Sequence, residues 1–155
     1  MRVGENFDKP ESSFLLLEKD CERVTNKMLT NPRLLKLLYY RDKDALHKPS
    51  LTNAQKLGLI GKEIKIIPSI TIEKDCPIYV VITFDNFTPN RTNPEFRDCS
   101  ISFDILCHPD HWNLGNFQLR PYKIAGELDA MFNNSKMTGI GTLQFLGANN
   151  LVLNE

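Results

Sequence analysis

Residues 98–107 read Asp-Cys-Ser-Ile-Ser-Phe-Asp-Ile-Leu-Cys, the strictest alternation of polar and apolar residues in the chain. Side chains on a β-strand point alternately to its two faces, so this spacing predicts a strand with one apolar and one polar face. The apolar face holds Cys99, Ile101, Phe103, Ile105 and Cys107, and the polar face holds Asp98, Ser100, Ser102 and Asp104. We expect the first face to meet a core and the second to meet water or a partner.

A second strand is predicted immediately before this one, at residues 78–84, where both alternating sets are largely apolar. Residues 85–95 between the two strands are rich in Asn, Thr and Pro, which is typical of a loop. Consecutive strands joined in this way are most simply antiparallel neighbours.

Helices are predicted on both sides of these strands. Residues 13–29 carry one apolar stripe behind a cap at Ser12 or Ser13, and Asn31-Pro32 starts a second, short apolar helix. Arg120-Pro121 opens another helix, whose stripe is Ile124, Leu128 and Phe132 with Ala125 and Met131 beside it.

The remaining segments give weaker patterns. Residues 47–60 indicate a loop with a helical turn at 53–57, and the Ile-rich residues 61–72 favour extended chain that Pro68 limits to an edge or a bend. Short strands are predicted at 142–146 and 151–153. Together the elements predict a single α+β domain over residues 1–155. Its small, mostly antiparallel sheet packs against an N-terminal helix and a second helix inserted before the last strands.

Composition excludes several classes of protein. The 155 residues have zero formal net charge and are 41% hydrophobic, which argues against a fully disordered chain and against a basic nucleic-acid-coating protein. No apolar run approaches the roughly 18–20 residues of a membrane-spanning helix. We expect no secretory signal, and Cys21, Cys76, Cys99 and Cys107 are therefore expected to be reduced. Residues 23–74 hold eleven basic and four acidic residues and the second half leans acidic, a layout that would attract copies head to tail.

Two clusters contain residue types that can carry chemistry. Cys99, Cys107, His108 and His111 include good zinc ligands, but an extended strand separates the two thiols by about 26 Å. Cys107, His108 and Asp110 suggest a nucleophile and a base, yet neighbouring residues on a strand face opposite ways. We therefore predict no enzyme, no metal and no cofactor. Trp112 is expected to be a core anchor or an interface residue.

Five segments carry a family resemblance through their order and loose motifs. They are Asn-Pro-Arg-Leu-Leu-Lys-Leu-Leu-Tyr-Tyr at 31–40, Phe-Asp-Asn-Phe-Thr-Pro-Asn at 84–90, Phe-Arg-Asp-Cys-Ser-Ile-Ser-Phe-Asp-Ile at 96–105, His-Pro-Asp-His-Trp at 108–112, and Arg-Pro-Tyr-Lys-Ile-Ala-Gly-Glu-Leu-Asp-Ala-Met-Phe at 120–132. Over residues 14–153 the chain resembles the tail-completion or tail-terminator proteins, the head–tail joining class of tailed bacteriophages. That family has a small α+β fold, and its second helix matches residues 120–132. The apolar helix at 32–41 and the stretch 61–72 depart from it.

The resemblance implies a structural virion protein of the phage neck or tail junction, assembled in the host cytoplasm. Copies would close into a homohexameric ring that caps the tail tube and joins it to the head connector. The implied partners are further copies, connector or portal-proximal proteins, tail-tube proteins, and viral DNA that passes without sequence-specific binding; no membrane is involved. The candidate interface or lumen residues are Asp98, Ser100, Ser102, Asp104, Asn86, Phe87, Asn90, Arg91 and Trp112. The alternatives are another neck or connector ring protein and a non-phage α+β interaction module.

Overall fold

The structure is a computed structural model that describes residues 14–66, 77–93 and 96–150. Four α-helices lie in these ranges: α1 (Leu17–Met28), α2 (Pro32–Tyr39), α3 (Asn53–Gly58) and α4 (Arg120–Phe132). The strands are β1 (Ile64–Lys65), β2 (Ile78–Pro89), β3 (Arg97–Cys107), β4 (Asn113–Leu114), β5 (Gln118–Leu119), β6 (Lys136–Met137) and β7 (Gly141–Thr142). This arrangement confirms the predicted α+β class.

The main sheet has the strand order β1-β2-β3. Strands β2 and β3 form a long antiparallel hairpin, from the Ile78↔Cys107 pair to the Pro89↔Arg97 pair, as predicted. Strand β1 pairs in parallel with β2 over two residues. The pairs β4–β5 and β6–β7 are two small antiparallel hairpins on either side of α4 in the sequence.

Capping residues explain where two of the helices begin. The Asn31 side chain accepts hydrogen bonds from two backbone N–H groups of the first turn of α2, at 2.9 and 3.1 Å. Thr52 and Gln55 exchange the two reciprocal bonds of a capping box at the start of α3. Caps of this kind satisfy N–H groups that have no partner within the helix.

The core lies between the sheet and helices α1, α2 and α4. Ile124, Leu128 and Phe132 of α4 are buried, which confirms the stripe read from the sequence. On the opposite face of the sheet, Tyr79 and Val81 form a second buried cluster with Leu106 beside them. The central strand β2 is therefore apolar on both faces near its start, as its composition predicts.

Some sequence expectations are wrong. Residues 85–89 belong to β2 rather than to a loop, because a β-bulge after Asp85 lets Thr88 pair with Asp98. The bulge holds Asn86 at φ 55°, a conformation that Asn tolerates well. The strand predicted at 142–146 is replaced by the short β7, and Cys99, predicted to face the core, is exposed because it lies near the outer end of the long hairpin.

Several predictions fall on residues that the structure does not describe. They concern the cap at Ser12 or Ser13, Cys76, the extended chain beyond residue 66, and the strand at 151–153. Among the described ranges, no helix combines the length and apolar character needed to cross a lipid bilayer.

Candidate assembly surface

The outer face of the β2–β3 hairpin is polar beyond the buried cluster of Tyr79 and Val81. Ile101, Phe103 and Ile105 pack against the core, so the alternation of β3 directs its intervening residues to the opposite face. The antiparallel register places residues of β2 beside them on that face. We call this surface the polar face, and it comprises Thr83, Asp85, Thr88, Asp98, Ser100, Ser102 and Asp104. The structure thus brings together all four polar residues predicted on β3 and adds Asp85, for which the sequence pattern predicts a loop.

Asn86 and Phe87 occupy the bulge but serve different contacts. The Asn86 amide donates to the Ser100 hydroxyl at 3.3 Å, next to the polar face. The Phe87 ring lies 5.1 Å from the Phe14 ring, centroid to centroid, and the Arg97 guanidinium lies 4.6 Å from the Phe14 centroid. Phe87 therefore helps to hold the start of the chain's described part against the outer end of the hairpin.

Asn90 and Arg91 follow β2 in the connecting turn. The Asn90 amide donates to both carboxylate oxygens of Asp98, at 3.0 and 3.2 Å. Its side-chain oxygen accepts from the backbone N–H groups of Thr92 and Asn93. Asn90 therefore shapes the turn and orients Asp98, while Arg91 is exposed.

Trp112 lies beyond the opposite end of β3, far along the strand from Asp98. Its indole N–H donates to the Cys107 carbonyl at 2.7 Å, and 41% of the residue is exposed. The nine candidate residues thus do not form one surface. They divide into the polar face, its bulge and turn, and Trp112 beside the β4–β5 hairpin.

The Cys and His side chains of the two predicted clusters do not come together around one point among the described residues. No group of three His, Cys, Asp or Glu side chains could hold a metal ion within the described ranges. The ring centroids of His108 and His111 are 6.4 Å apart, and the His111 Nδ1 lies 3.3 Å from the Arg41 carbonyl oxygen. Burial raises the pKa of the Cys107 thiol to about 11, outweighing the opposite effect of Arg120, so this sulfur stays protonated at neutral pH and is a poor nucleophile.

Arg120 is the residue with the largest structural role that sequence reasoning missed. It is fully buried, and its guanidinium makes five hydrogen bonds, all to backbone carbonyls at 2.7–3.2 Å. These carbonyls belong to Leu37, Tyr40, Arg41, Asp42 and His111.

The Arg120 bonds tie the C-terminal end of α2 and the following chain to the start of α4. Carbonyls at a helix C-terminus lack partners within the helix and carry partial negative charge. The buried guanidinium donates hydrogen bonds to these carbonyls and also compensates their negative charge. Burial lowers the pKa of the guanidinium, yet arginine stays charged in proteins. A sequence signal existed: a cation in the first turn of α4 opposes that helix's own dipole, which indicates that its partners lie elsewhere.

Glu127 provides a second link between α2 and α4. It accepts a hydrogen bond from the Asn31 amide at 3.0 Å and one from the Arg33 Nε at 2.7 Å. Burial acts to raise the pKa of Glu127, but the hydrogen bonds from Asn31 and Arg33 outweigh it, and the pKa falls below its ordinary value. The carboxylate form therefore stabilises the fold.

Glu127→Gln is expected to lower the free energy of unfolding by about 1–2 kcal/mol at pH 7. Because the folded-state pKa is depressed, the Glu127 contribution is present above the unfolded pKa of about 4.3 and is lost as pH falls through the folded value. Urea unfolding of both proteins should therefore show a difference that shrinks with acidification. The exposed Asp129→Asn on the same helix serves as the control. An equal loss of stability at pH 7 and in acid would contradict this role.

The fold and its surfaces define a small α+β protein whose long hairpin presents a polar face away from the core. The chain matches the YomW family model over residues 31–155 and belongs to the YomW family. The matched region begins at the cap of α2 and contains the polar face and Arg120. No curated protein and no solved structure matches the chain.

Proposed function

We propose that the chain is a structural subunit of the neck or tail junction of a tailed-phage virion. Copies assemble into a hexameric ring that completes the tail tube and joins it to the head connector. The observation that carries this proposal is the polar face, a strip of acidic and hydroxyl side chains on a long hairpin that is apolar on its other side.

The chemistry of the polar face suits a channel that passes DNA. From Thr83 outward, its paired positions are neutral or acidic, with two Asp, two Ser and two Thr, and Asp104 lies one pair further in, opposite the buried Val81. DNA affinity comes largely from Lys and Arg that neutralise phosphates and release counterions. A lumen lined by this face repels phosphates weakly and holds none of them, so DNA moves through without sticking.

Ring closure requires two different, complementary surfaces on each copy, because a rotation joins the front of one subunit to the back of the next. The uneven distribution of charge along the chain supports such a pairing. Residues 23–74 hold eleven basic and four acidic residues, whereas residues 77–150 hold five basic and seven acidic residues. Opposite charge on the two halves favours head-to-tail encounter.

The proposal is tested in virions of a phage or prophage whose genome carries this coding sequence. Mass spectrometry of purified particles should detect the chain, and inactivating its gene should leave heads and tails unjoined in electron micrographs. A plasmid copy should restore joined particles. The chain's absence from virions, together with unchanged titre after inactivation, would overturn the proposal in favour of an interaction module of another kind. Joined but defective particles would instead indicate another neck-ring protein.

The same complementation system tests the polar face. Asp98→Lys with Asp104→Lys should allow folding and assembly but lower the titre about tenfold or more, because added cations hold DNA in the channel. The matched variant with Asn at both positions should behave like the wild type. Asp98→Lys alone, at the exposed end of the hairpin, serves if the double variant is unstable. Titre and DNA ejection unaffected by either reversal would rule out the lumen assignment.

A further inference from the structure

Strand β3 forms one edge of the main sheet, because the order β1-β2-β3 gives it a neighbour on one side only. The His108 N–H donates to the Pro77 carbonyl at 2.7 Å, and the antiparallel register continues this alternation of hydrogen-bonded pairs along the strand. Beyond the bulge, the Asn90 N–H donates to the Phe96 carbonyl at 3.0 Å and keeps the same alternation. Every second residue of β3 therefore directs its backbone N–H and C=O away from β2. These outward residues include Cys99, Ile101, Phe103 and Ile105.

The backbone groups of these four outward residues have no hydrogen-bond partner within the described part of the chain. The unpaired edge ends at Cys107, whose carbonyl accepts the Trp112 indole N–H. Residues 98–107 contain no Pro, Lys or Arg, although such residues commonly keep an edge strand from pairing with another chain. A long unpaired edge of this kind is a template for one more strand.

The apolar side chains of this edge are also incompletely covered. Phe103 and Ile105 face the core but are only half-buried, whereas their paired residues on β2, Ile82 and Val80, are 1% and 0% exposed. A strand added beyond β3 would remove this remaining apolar surface from water, which is favourable. The edge therefore offers both backbone hydrogen bonds and apolar area to an extended partner.

We propose that β3 pairs antiparallel with β3 of a second copy of this chain, about a two-fold axis at Ser102. The contact joins two three-stranded sheets into one continuous sheet and uses the outward groups of all four residues in each copy. It goes beyond the proposed function, because an isologous contact uses the same surface on both copies and cannot by itself close a head-to-tail ring.

The sequence of β3 is complementary to itself in this register. Ser102 lies opposite Ser102 of the second copy, Ser100 opposite Asp104, and Ile101 opposite Phe103. Opposing residues point to the same face of a sheet, so apolar side chains meet on the core side and polar side chains meet on the polar face. The Ser100 hydroxyl is then placed to donate to the Asp104 carboxylate of the second copy.

Moving the axis by one residue makes the pairing worse in either direction. A shift towards the start of β3 places Asp98 opposite Asp104 of the second copy, and like charges directly opposite each other destabilise a sheet. A shift the other way pairs Cys99 with Cys107, whose carbonyl is already occupied by the Trp112 indole N–H. The proposed axis gives every outward residue a partner and sets no two carboxylates opposite each other.

A charge at position 102 tests the contact, because Ser102 is exposed in a single copy. Ser102→Asp sets two new carboxylates opposite each other and next to both Asp104 side chains. We expect dimerisation, measured by sedimentation velocity of the purified chain, to weaken about tenfold or more. Ser102→Asn is similar in size and uncharged, and it should dimerise like the wild type. A wild-type chain that stays monomeric, or an Asp variant that dimerises equally well, would overturn the proposal.

Mixing two variants tests whether position 102 faces its own counterpart. In an equimolar mixture of Ser102→Asp with Ser102→Lys, opposite charges lie directly across the axis. This mixture should form more heterodimer than a mixture of Ser102→Asp with Ser102→Asn, as native mass spectrometry would show. Equal amounts of heterodimer in the two mixtures would overturn the position of the axis.

Disulfide trapping tests the register independently. The two residues at position 102 are not hydrogen-bonded to each other, so their Cα atoms lie about 4.5 Å apart, within the range of a disulfide. Alanine replaces the four native cysteines in this experiment. Ser102→Cys should then give a covalent dimer on oxidation with copper phenanthroline, whereas Ser100→Cys, about 13 Å from its counterpart, should not. Trapping at position 100 in preference to 102, or at neither, would overturn the register.

These measurements use the purified chain, so their outcome is separate from that of the virion experiments. Absence of the chain from virions would remove the proposed function and leave the dimer in place. A purified chain that forms rings unaffected by Ser102→Asp would support the proposed function and overturn the β3 contact.

Discussion

Replacing Arg120 with Lys is expected to lower the free energy of unfolding by about 3–5 kcal/mol. The guanidinium satisfies five backbone carbonyls from two separate segments. An ammonium group has three donors and no planar fork, so several of these carbonyls lose their partner while a charge remains buried. Urea unfolding followed by circular dichroism measures the effect. Arg91→Lys, at an exposed position, should change stability by less than about 0.5 kcal/mol.

Arg120→Lys keeps a buried charge but loses hydrogen bonds, whereas Arg120→Met removes the charge and all five hydrogen bonds together. Comparing the two variants separates the effect of the lost bonds from the effect of the buried charge. We expect Arg120→Met to be at least as damaging as Lys, since buried carbonyls at the C-terminal end of α2 are then left without partners. A Met variant as stable as the wild type would show that the hydrogen bonds only offset the burial of the charge. That result would contradict the role assigned to Arg120.

Phe132→Ala is expected to cost about 3–5 kcal/mol. Phe132 is 5% exposed, its ring stacks on Phe103 with centroids 4.9 Å apart, and the Lys27 Nζ lies 5.2 Å from its centroid. One side chain thus joins α4, β3 and α1, and its removal leaves a cavity that the surrounding elements fill only in part.

Phe132→Leu should lose less than half as much stability as Ala, because it retains most of the apolar volume. The exposed Phe145→Ala is the matched control and should be nearly neutral. Thermal and urea denaturation of the four proteins provide the comparison. If Phe132→Ala and Phe145→Ala proved equally mild, α4 would not depend on this contact.

Most elements of the fold follow from short-range patterns. The alternation at residues 98–107 predicts β3 and its core and polar faces, except that Cys99 is exposed, and Asn31-Pro32 locates the start of α2. The stripe of Ile124, Leu128 and Phe132 predicts α4. These predictions succeed because strand alternation, caps and helical stripes depend on residues within about four positions of one another.

The polar face could not be predicted in full from the sequence, because it depends on contacts between residues distant in the chain. Whether residues 85–89 form a loop or a strand depends on the register with β3, and the same register brings Asp85 onto the polar face. The composition of residues 85–89 by itself predicts a loop, because Asn, Thr and Pro favour turns when no partner strand is present.

The sequence by itself determined the α+β class, three of the helices and the polar residues of β3. Only the tertiary structure decided the length of the hairpin, the carbonyl cage around Arg120 and the exposure of Phe117. The reason is physical: four of the carbonyls that Arg120 binds come from residues 78 to 83 positions away, and no local pattern records such partners.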